Sequence, residues 1–206
     1  MLHFLQEKGA KCIALACNTT SALADILRDR FSLPIITVAE CAADAIASMG
    51  LKSVGLIATV STVNSGIYKK RIHAIAPDTA VYSIGSTNLA ALVENHREDR
   101  DAVDAEIHSC MEKLLSQGAV EGVILGCTHY PLVLENFRRC YPGVSFIDPA
   151  PHQAQGIKAF LEEENARSST KEASLTIYTT GTTDNFRDAC DKNGLSEKYT
   201  VRVIHT

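Results

Sequence analysis

The fold is decided by the stretch Val123-Ile124-Leu125-Gly126-Cys127-Thr128-His129-Tyr130-Pro131. Its three leading apolar residues predict a buried strand, and a helical pattern starts at Pro131. The thiol of Cys127 therefore stands where a strand becomes a helix. Free backbone N–H groups and the positive end of a helix dipole favour a thiolate or a bound carboxylate at such a position.

A second stretch has the same build. Residues 12–16 predict a buried strand, Cys17-Asn18-Thr19-Thr20-Ser21 forms its exit, and residues 22–31 predict a helix. The two strand–Cys–Thr–helix units lie 110 positions apart. This duplication indicates two similar half-molecules that face one another across a cleft.

The rest of the chain alternates between strand and helix patterns. Strands are predicted at 35–38, 53–58, 81–84, 122–125, 144–147, 175–179 and 199–204, and helices at 40–49, 62–76, 101–117, 131–141, 150–163 and 184–193. Such alternation is typical of an α/β fold with parallel strands and helical crossovers. We expect two similar lobes with parallel-stranded sheets and an active site in the cleft between them. Residues 1–49 plus 149–206 form the first lobe, and residues 50–148 form the second.

Composition narrows the class of protein. The 206 residues are 46% hydrophobic and 21% charged, which is ordinary for a globular protein with a sizeable core. A net charge of −4 and a longest basic run of Lys69-Lys70-Arg71 argue against a nucleic-acid partner. No apolar run approaches the roughly 18 residues of a membrane span, and the N-terminus lacks the pattern of a signal peptide. We therefore expect no membrane partner and a cytoplasmic location.

Seven cysteines without disulfide-scaffold spacing predict reduced thiols. Five of them fall inside predicted strands or helices and are expected to be structural: Cys12, Cys41, Cys110, Cys140 and Cys190. The other two stand at the duplicated strand ends. This leaves Cys17 and Cys127 as the candidates for chemistry.

The segments around these two cysteines resemble those of a known family. Ala16-Cys17-Asn18-Thr19 and Leu125-Gly126-Cys127-Thr128-His129-Tyr130-Pro131 resemble the signature segments of cofactor-independent glutamate racemases, within the aspartate/glutamate racemase group. Residues 54–59 with Thr62, Ser65 and Tyr68 resemble the family's strand-and-threonine segment, and Leu92-Val93-Glu94 resembles its acidic motif. The resemblance covers nearly the whole chain and implies the same two-lobed arrangement.

The resemblance implies a two-cysteine racemisation. Removing an α-proton and returning one to the opposite face requires two proton carriers that flank the carbon. A thiol, with a reference pKa of about 8.5, reaches either charge state with modest tuning. Cys17 is expected on one face of the substrate and Cys127 on the other. No pyridoxal phosphate, metal or nucleotide is expected, and the sequence contains no glycine-rich phosphate loop.

Polar residues beside the thiols are the candidates for substrate binding. Asn18, Thr19 and Thr128 supply donors that can hold the substrate's carboxylates and stabilise developing negative charge. His129, two residues after Cys127, is placed to bind, orient or protonate the substrate.

Three further candidate site residues can also be explained by a purely structural role. Glu94 is the family's additional acidic residue, or a solvated carboxylate at a helix end. Thr59 and Thr62 follow a strand end, where ligands commonly bind in open α/β sheets, or they cap a helix.

Other chemistries fit the sequence less well. A metal site has no Cys-x-x-Cys pair or clustered Cys/His spacing to support it. A Cys-dependent phosphatase needs an arginine shortly after the cysteine, where Leu23 and Val133 stand instead. A hydrolase built on Cys17 and His129 leaves Cys127 without a purpose.

The sequence also departs from the family. The Asp-Ser-Gly strand end and the Pro-Tyr-Gly loop that precede the first cysteine in family members are not found here, and Ala58 stands where the family usually has Gly. The resemblance places substrate contacts on those segments, so we expect little turnover from these 206 residues.

The substrate and partners follow from the same resemblance. Cys-Thr-His goes with glutamate, whereas aspartate-specific relatives tend to have Glu after Cys-Thr. The implied role is the supply of D-glutamate for peptidoglycan. Whether the chain forms a homodimer is left open at this point. Two alternatives remain: a truncated or degenerate homologue that binds a dicarboxylate without catalysis, and a racemase for aspartate or another amino acid.

Overall fold

The computed structural model describes residues 1–170, 174–192, 194–195 and 199–204. Its strands are β1 (Ile13–Leu15), β2 (Ile35–Thr37), β3 (Ser53–Thr59), β4 (Ala80–Ser86), β5 (Gly122–Gly126), β6 (Phe146–Ile147), β7 (Leu175–Thr179) and β8 (Tyr199–Val203). Its helices are α1 (Leu2–Glu7), α2 (Asn18–Ser21), α3 (Ala24–Arg28), α4 (Val38–Met49), α5 (Val60–Ser65), α6 (Ile67–Ile75), α7 (Leu89–His96), α8 (Arg100–Leu115), α9 (Leu134–Cys140), α10 (Pro149–Glu163) and α11 (Thr183–Lys192), with a 3₁₀ turn at Tyr130–Val133.

A four-stranded parallel sheet forms the centre of the molecule. Its strand order is β4-β3-β5-β6, and Ala58 of β3 lies opposite Gly126 of β5. The two inner strands are continuous apolar runs because both of their faces are covered. Consecutive residues therefore enter different cores. Ile57 packs with α7, α8 and α9, whereas Leu56 packs with α4 and α6.

Two smaller sheets accompany it. Strands β1 and β2 pair in parallel, with Ile13 opposite Ile35, and β7 and β8 pair in parallel with each other. The side chain of Gln153 links α10 to both strands of the β1–β2 sheet. Its Nε2 donates to the carbonyls of Leu15 and Ile36 at 3.1 and 3.0 Å, and the residue is almost fully buried.

The alternation of strands and helices agrees with the sequence prediction, with four local differences. The helix predicted at 22–31 is replaced by α2 and α3, so that helix begins directly after Cys17. The helix predicted at 62–76 is divided by Gly66, whose φ of 65° ends α5 before α6 begins. The segment predicted to be helical from Pro131 starts as a 3₁₀ turn, and α7 was not predicted.

Other predictions concern boundaries and thiols. The predicted lobe boundaries at residues 49/50 and 148/149 stay a prediction. Helix α4 belongs to the predicted first lobe, but it packs on the central sheet, which belongs to the predicted second lobe. Asn193, the last residue of the helix predicted at 184–193, lies outside the described residues. All seven cysteines fall within the described ranges and are free thiols, as predicted. None of the described helices combines the length and the apolar character that a bilayer span requires.

Candidate active site

The two candidate thiols stand at the carboxyl ends of parallel strands. Cys17 follows β1 and is the N-cap residue of α2, and Cys127 follows β5 directly. Cys17 is exposed, whereas Cys127 is only 7% exposed. In open α/β sheets ligands bind at this edge, so the location fits a binding site. The environments of the two thiols nevertheless differ.

Gly126, the residue before Cys127, allows β5 to lie close to β3. A Cβ atom at Gly126 would lie 2.6 Å from Cδ1 of Leu56 and 2.9 Å from Cβ of Ala58. Contacts this short do not occur between real side chains, so β3 and β5 can approach only because residue 126 has no side chain. The sheet register and the position of Cys127 thus depend on the same residue.

Burial raises the pKa of the Cys127 thiol. Hydrogen bonding from the backbone N–H of His129 and from the Thr128 side chain lowers this pKa, and a negative charge on Cys17 raises it. The net direction is upward, so Cys127 carries its proton at neutral pH.

His129 connects Cys127 with an acidic residue. Its Nδ1 lies 3.6 Å from Sγ of Cys127, and its Nε2 lies 3.4 Å from Oε2 of Glu94. Glu94 stands in the last part of α7, and its side chain is 66% exposed. Of the two sequence alternatives for Glu94, the structure thus shows a solvated carboxylate that also reaches His129.

Three threonine hydroxyls form a closed cluster. Thr19 lies 3.2 Å from Thr59 and 2.9 Å from Thr62, and the last two are 2.9 Å apart, all measured between Oγ1 atoms. Thr59 also accepts a hydrogen bond from the backbone N–H of Thr62, so it caps α5. The cluster joins α2 to the N-terminus of α5. Capping is therefore observed for Thr59, and its role in substrate binding stays a prediction.

Asn18 is buried and hydrogen-bonded to a neighbouring helix. It is 4% exposed, and its Oδ1 accepts a hydrogen bond from the hydroxyl of Tyr68 on α6. Asn18, Cys127 and Thr128 line a cavity of about 130 Å³, together with Asp148 at the start of α10. A larger depression of about 460 Å³ between α4 and α10 is lined by neither Cys17 nor Cys127.

Comparison of the sequence with known proteins identifies its family. The family model for Asp/Glu/hydantoin racemases matches residues 1–157. The chain belongs to this racemase family. It is 32% identical over 197 residues to the glutamate racemase of Desulforudis audaxviator, covering 91% of this chain and 72% of that protein. It is 30% identical to a Streptococcus agalactiae glutamate racemase, covering 99% of this chain and 78% of that protein.

Solved racemase structures give the same result for the fold. A glutamate racemase isoform from Bacillus anthracis superposes with a TM-score of 0.93 at 27% identity, covering all of this chain and 77% of that one. The Francisella tularensis glutamate racemase, solved in complex with D-glutamate, superposes with a TM-score of 0.89 at 27% identity, covering 98% and 76%. The two-lobed α/β racemase fold predicted from the sequence is confirmed.

Sequence reasoning missed two polar groups of this racemase-family site. Asp148 directly follows β6, so the rule that singled out Cys127 at a strand end also applies to it. Tyr68 belongs to a segment that resembles the family, but its place on an apolar helix face gave no sign that its hydroxyl reaches Asn18.

Proposed function

We propose that the protein is a cofactor-independent racemase that interconverts L-glutamate and D-glutamate by proton transfer at Cys17 and Cys127. The observation that carries this proposal is the placement of the two thiols, each of which follows a strand of a parallel sheet, with Cys127 and the neighbour of Cys17, Asn18, lining one cavity. The glutamate racemases to which the chain is similar support the choice of reaction and substrate.

The two thiols divide the work of acid and base. In one direction the Cys17 thiolate removes the α-proton from one face of glutamate, and the Cys127 thiol donates its proton to the opposite face. Cys17 is then a thiol and Cys127 a thiolate, which is the charge state needed for the reverse direction. The upward pKa shift of Cys127 fits its role as the initial acid.

Hydrogen-bond donors stabilise the charge that develops on the substrate. Deprotonation at Cα spreads negative charge onto the α-carboxylate, and preorganised donors in a site with little water favour that state. Asn18 and Thr128 border the cavity beside Cys127. The cluster of Thr19, Thr59 and Thr62 supplies further hydroxyls, one of which must turn from its neighbour to bind a carboxylate.

His129 and Glu94 assist on the Cys127 side. The imidazole contacts the thiol through Nδ1 and the carboxylate through Nε2. In this arrangement Glu94 holds the ring in place, and His129 polarises the thiol and exchanges its proton.

The proposal includes a cellular setting. D-glutamate produced here supplies peptidoglycan synthesis in the cytoplasm, and a homodimer is the proposed assembly. Free cysteines throughout the chain fit a reducing compartment.

Exchange of the α-hydrogen in D₂O tests the proposal. L-glutamate incubated with the protein should lose its α-proton signal in the NMR spectrum, with formation of the D-isomer measured by circular dichroism. Pretreatment with EDTA or hydroxylamine should leave both rates unchanged, and inhibition by either reagent would overturn the cofactor-free reaction. Exchange is also sensitive enough to check the expectation of weak turnover. A folded chain that binds glutamate without exchange would favour the non-catalytic alternative, and faster exchange with aspartate would overturn the choice of substrate.

A further inference from the structure

The buried contact between Tyr68 and Asn18 has a consequence for substrate binding. We infer that Tyr68 is a positioning residue that fixes the side-chain amide of Asn18 with its NH₂ group toward the substrate carboxylate. This inference rests on the proposed racemase function and assigns to Tyr68 a role in substrate binding.

Tyr68 can serve as a permanent donor. The residue is 1% exposed, and its hydroxyl donates to Oδ1 of Asn18. Burial, together with the negative charges of Cys127 and Asp148, raises the pKa of this phenol far above its usual range. The hydroxyl therefore keeps its proton at every pH at which the enzyme works.

That donated hydrogen bond decides which end of the amide is free. An asparagine side chain has an acceptor oxygen and a donor nitrogen of nearly equal shape, and either can face a ligand. With Oδ1 occupied by Tyr68, Nδ2 and its two N–H groups remain for the cavity that Asn18 shares with Cys127. Those N–H groups attract a carboxylate, whereas Oδ1 would repel it.

The rest of Tyr68 holds this donor rigidly. The ring belongs to the apolar cluster on the α4 and α6 side of the central sheet, where it packs with residues that include Ile67 and Ile72. Asn18 is at the start of α2, so the bond joins two separate elements around the site. A buried hydroxyl without a partner is costly, which makes the bond with Asn18 persistent.

A double-mutant cycle on KM tests the inference. Tyr68→Phe should raise KM for L-glutamate and for D-glutamate by about tenfold with kcat changed less than threefold, because the amide can then rotate in the free enzyme. Asn18→Ala should raise KM at least as much. Adding Tyr68→Phe to Asn18→Ala should change KM by less than twofold, since no amide remains to be positioned.

Two further variants control for packing and folding. Tyr130→Phe removes the hydroxyl of another fully buried tyrosine and should leave both constants unchanged. Asn18→Asp keeps an acceptor for Tyr68 but presents oxygen to the cavity, so it should raise KM by more than Asn18→Ala does. If the Tyr68→Phe variant fails to fold, Asn18→Asp is the decisive variant instead.

The outcomes separate the two proposals. An unchanged KM in Tyr68→Phe, or an equal effect of that substitution with and without Asn18, would overturn the positioning role while the racemase function stands. For Asn18→Asp, a KM at or below that of Asn18→Ala would do the same. A folded wild-type chain with neither turnover nor glutamate binding would overturn the proposed function and this inference with it.

Discussion

Nε2 of His129 lies 3.4 Å from Oε2 of Glu94, so the imidazole beside the buried thiol has a carboxylate on its far side. Nδ1 of the same ring lies 3.6 Å from Sγ of Cys127. A carboxylate in this position selects the orientation of the ring. Because Glu94 is largely exposed, solvent weakens this interaction, and the effect on the reaction should be moderate.

Replacing Glu94 tests this connection. Glu94→Gln should lower kcat about tenfold with little change in KM, because the ring loses its charged partner while the amide keeps a similar shape. Glu98→Gln is the matched control, since Glu98 is an exposed carboxylate beside a different imidazole, 4.0 Å from His96. Steady-state kinetics of both variants in both directions are the measurement. Equal losses in the two variants would mean that general surface charge, not the contact with His129, is responsible.

The two strand-end thiols should both be indispensable. Cys17→Ser and Cys127→Ser should each lower racemisation by at least about a thousandfold, because a serine hydroxyl is far too weak an acid to replace a thiol at neutral pH. Cys110→Ser should retain turnover, since Cys110 is buried on α8 and packs in the core. Circular dichroism spectra establish that each variant is folded. If the Cys110 variant is folded and as inactive as the others, the assignment of roles is wrong.

Exposure should decide the order in which these thiols are alkylated. Iodoacetamide at pH 8 should modify Cys17 before Cys127, because Cys17 is exposed while Cys127 is buried with a raised pKa. Peptide mass spectrometry over time measures both rates, and added glutamate should slow modification of Cys17. Cys41 provides an internal control, since its burial raises its pKa to about 11. Faster modification of Cys127 than of Cys17 would contradict the assigned environments.

Much of the fold could be predicted from the sequence, because the spacing of apolar residues indicates which faces of a strand or helix are buried. The run Val123-Ile124-Leu125 is apolar throughout and becomes an inner strand covered on both faces. The short helix α7 was missed because its eight residues lie between a strand and a polar stretch and give only two apolar turns. The break at Gly66 was missed because the apolar pattern continues across it, although a glycine with positive φ ends the helix.

The candidate site was predictable where chemistry and strand ends coincide, as at Cys17 and Cys127. Contacts between distant segments were not predictable. Nothing in local sequence pairs Thr19 with Thr62, or Tyr68 with Asn18, because those pairs arise from the packing of α2 against α5 and α6. The residue roles themselves stay predictions until the variants are measured.

Buried thiols should make the protein less stable at alkaline pH. Burial raises the pKa of Cys41 and of Cys110 to about 11. The folded state then holds these protons more tightly than the unfolded state does, so their contribution is complete below about pH 9 and is lost as the pH rises toward 11. Urea unfolding at pH 8 and at pH 10.5 measures the loss. It should be smaller in Cys110→Ser, where one of these groups no longer titrates, and parallel losses in both proteins would contradict this origin.

Gly126 of the central sheet should not tolerate a larger residue. Gly126→Ala introduces a Cβ 2.6 Å from Leu56 and 2.9 Å from Ala58, and the second contact cannot be relieved by rotating a side chain. We expect a loss of about 1–3 kcal/mol in the free energy of unfolding, and a lower kcat because Cys127 moves with the strand. Gly143→Ala is the control, since a Cβ there meets no atom within 4 Å and the residue is outside the positive-φ region. Both substitutions restrict the unfolded chain equally, so urea unfolding of the pair isolates the steric cost. If Gly126→Ala is as stable as Gly143→Ala, the close approach of β3 and β5 does not require glycine at this position.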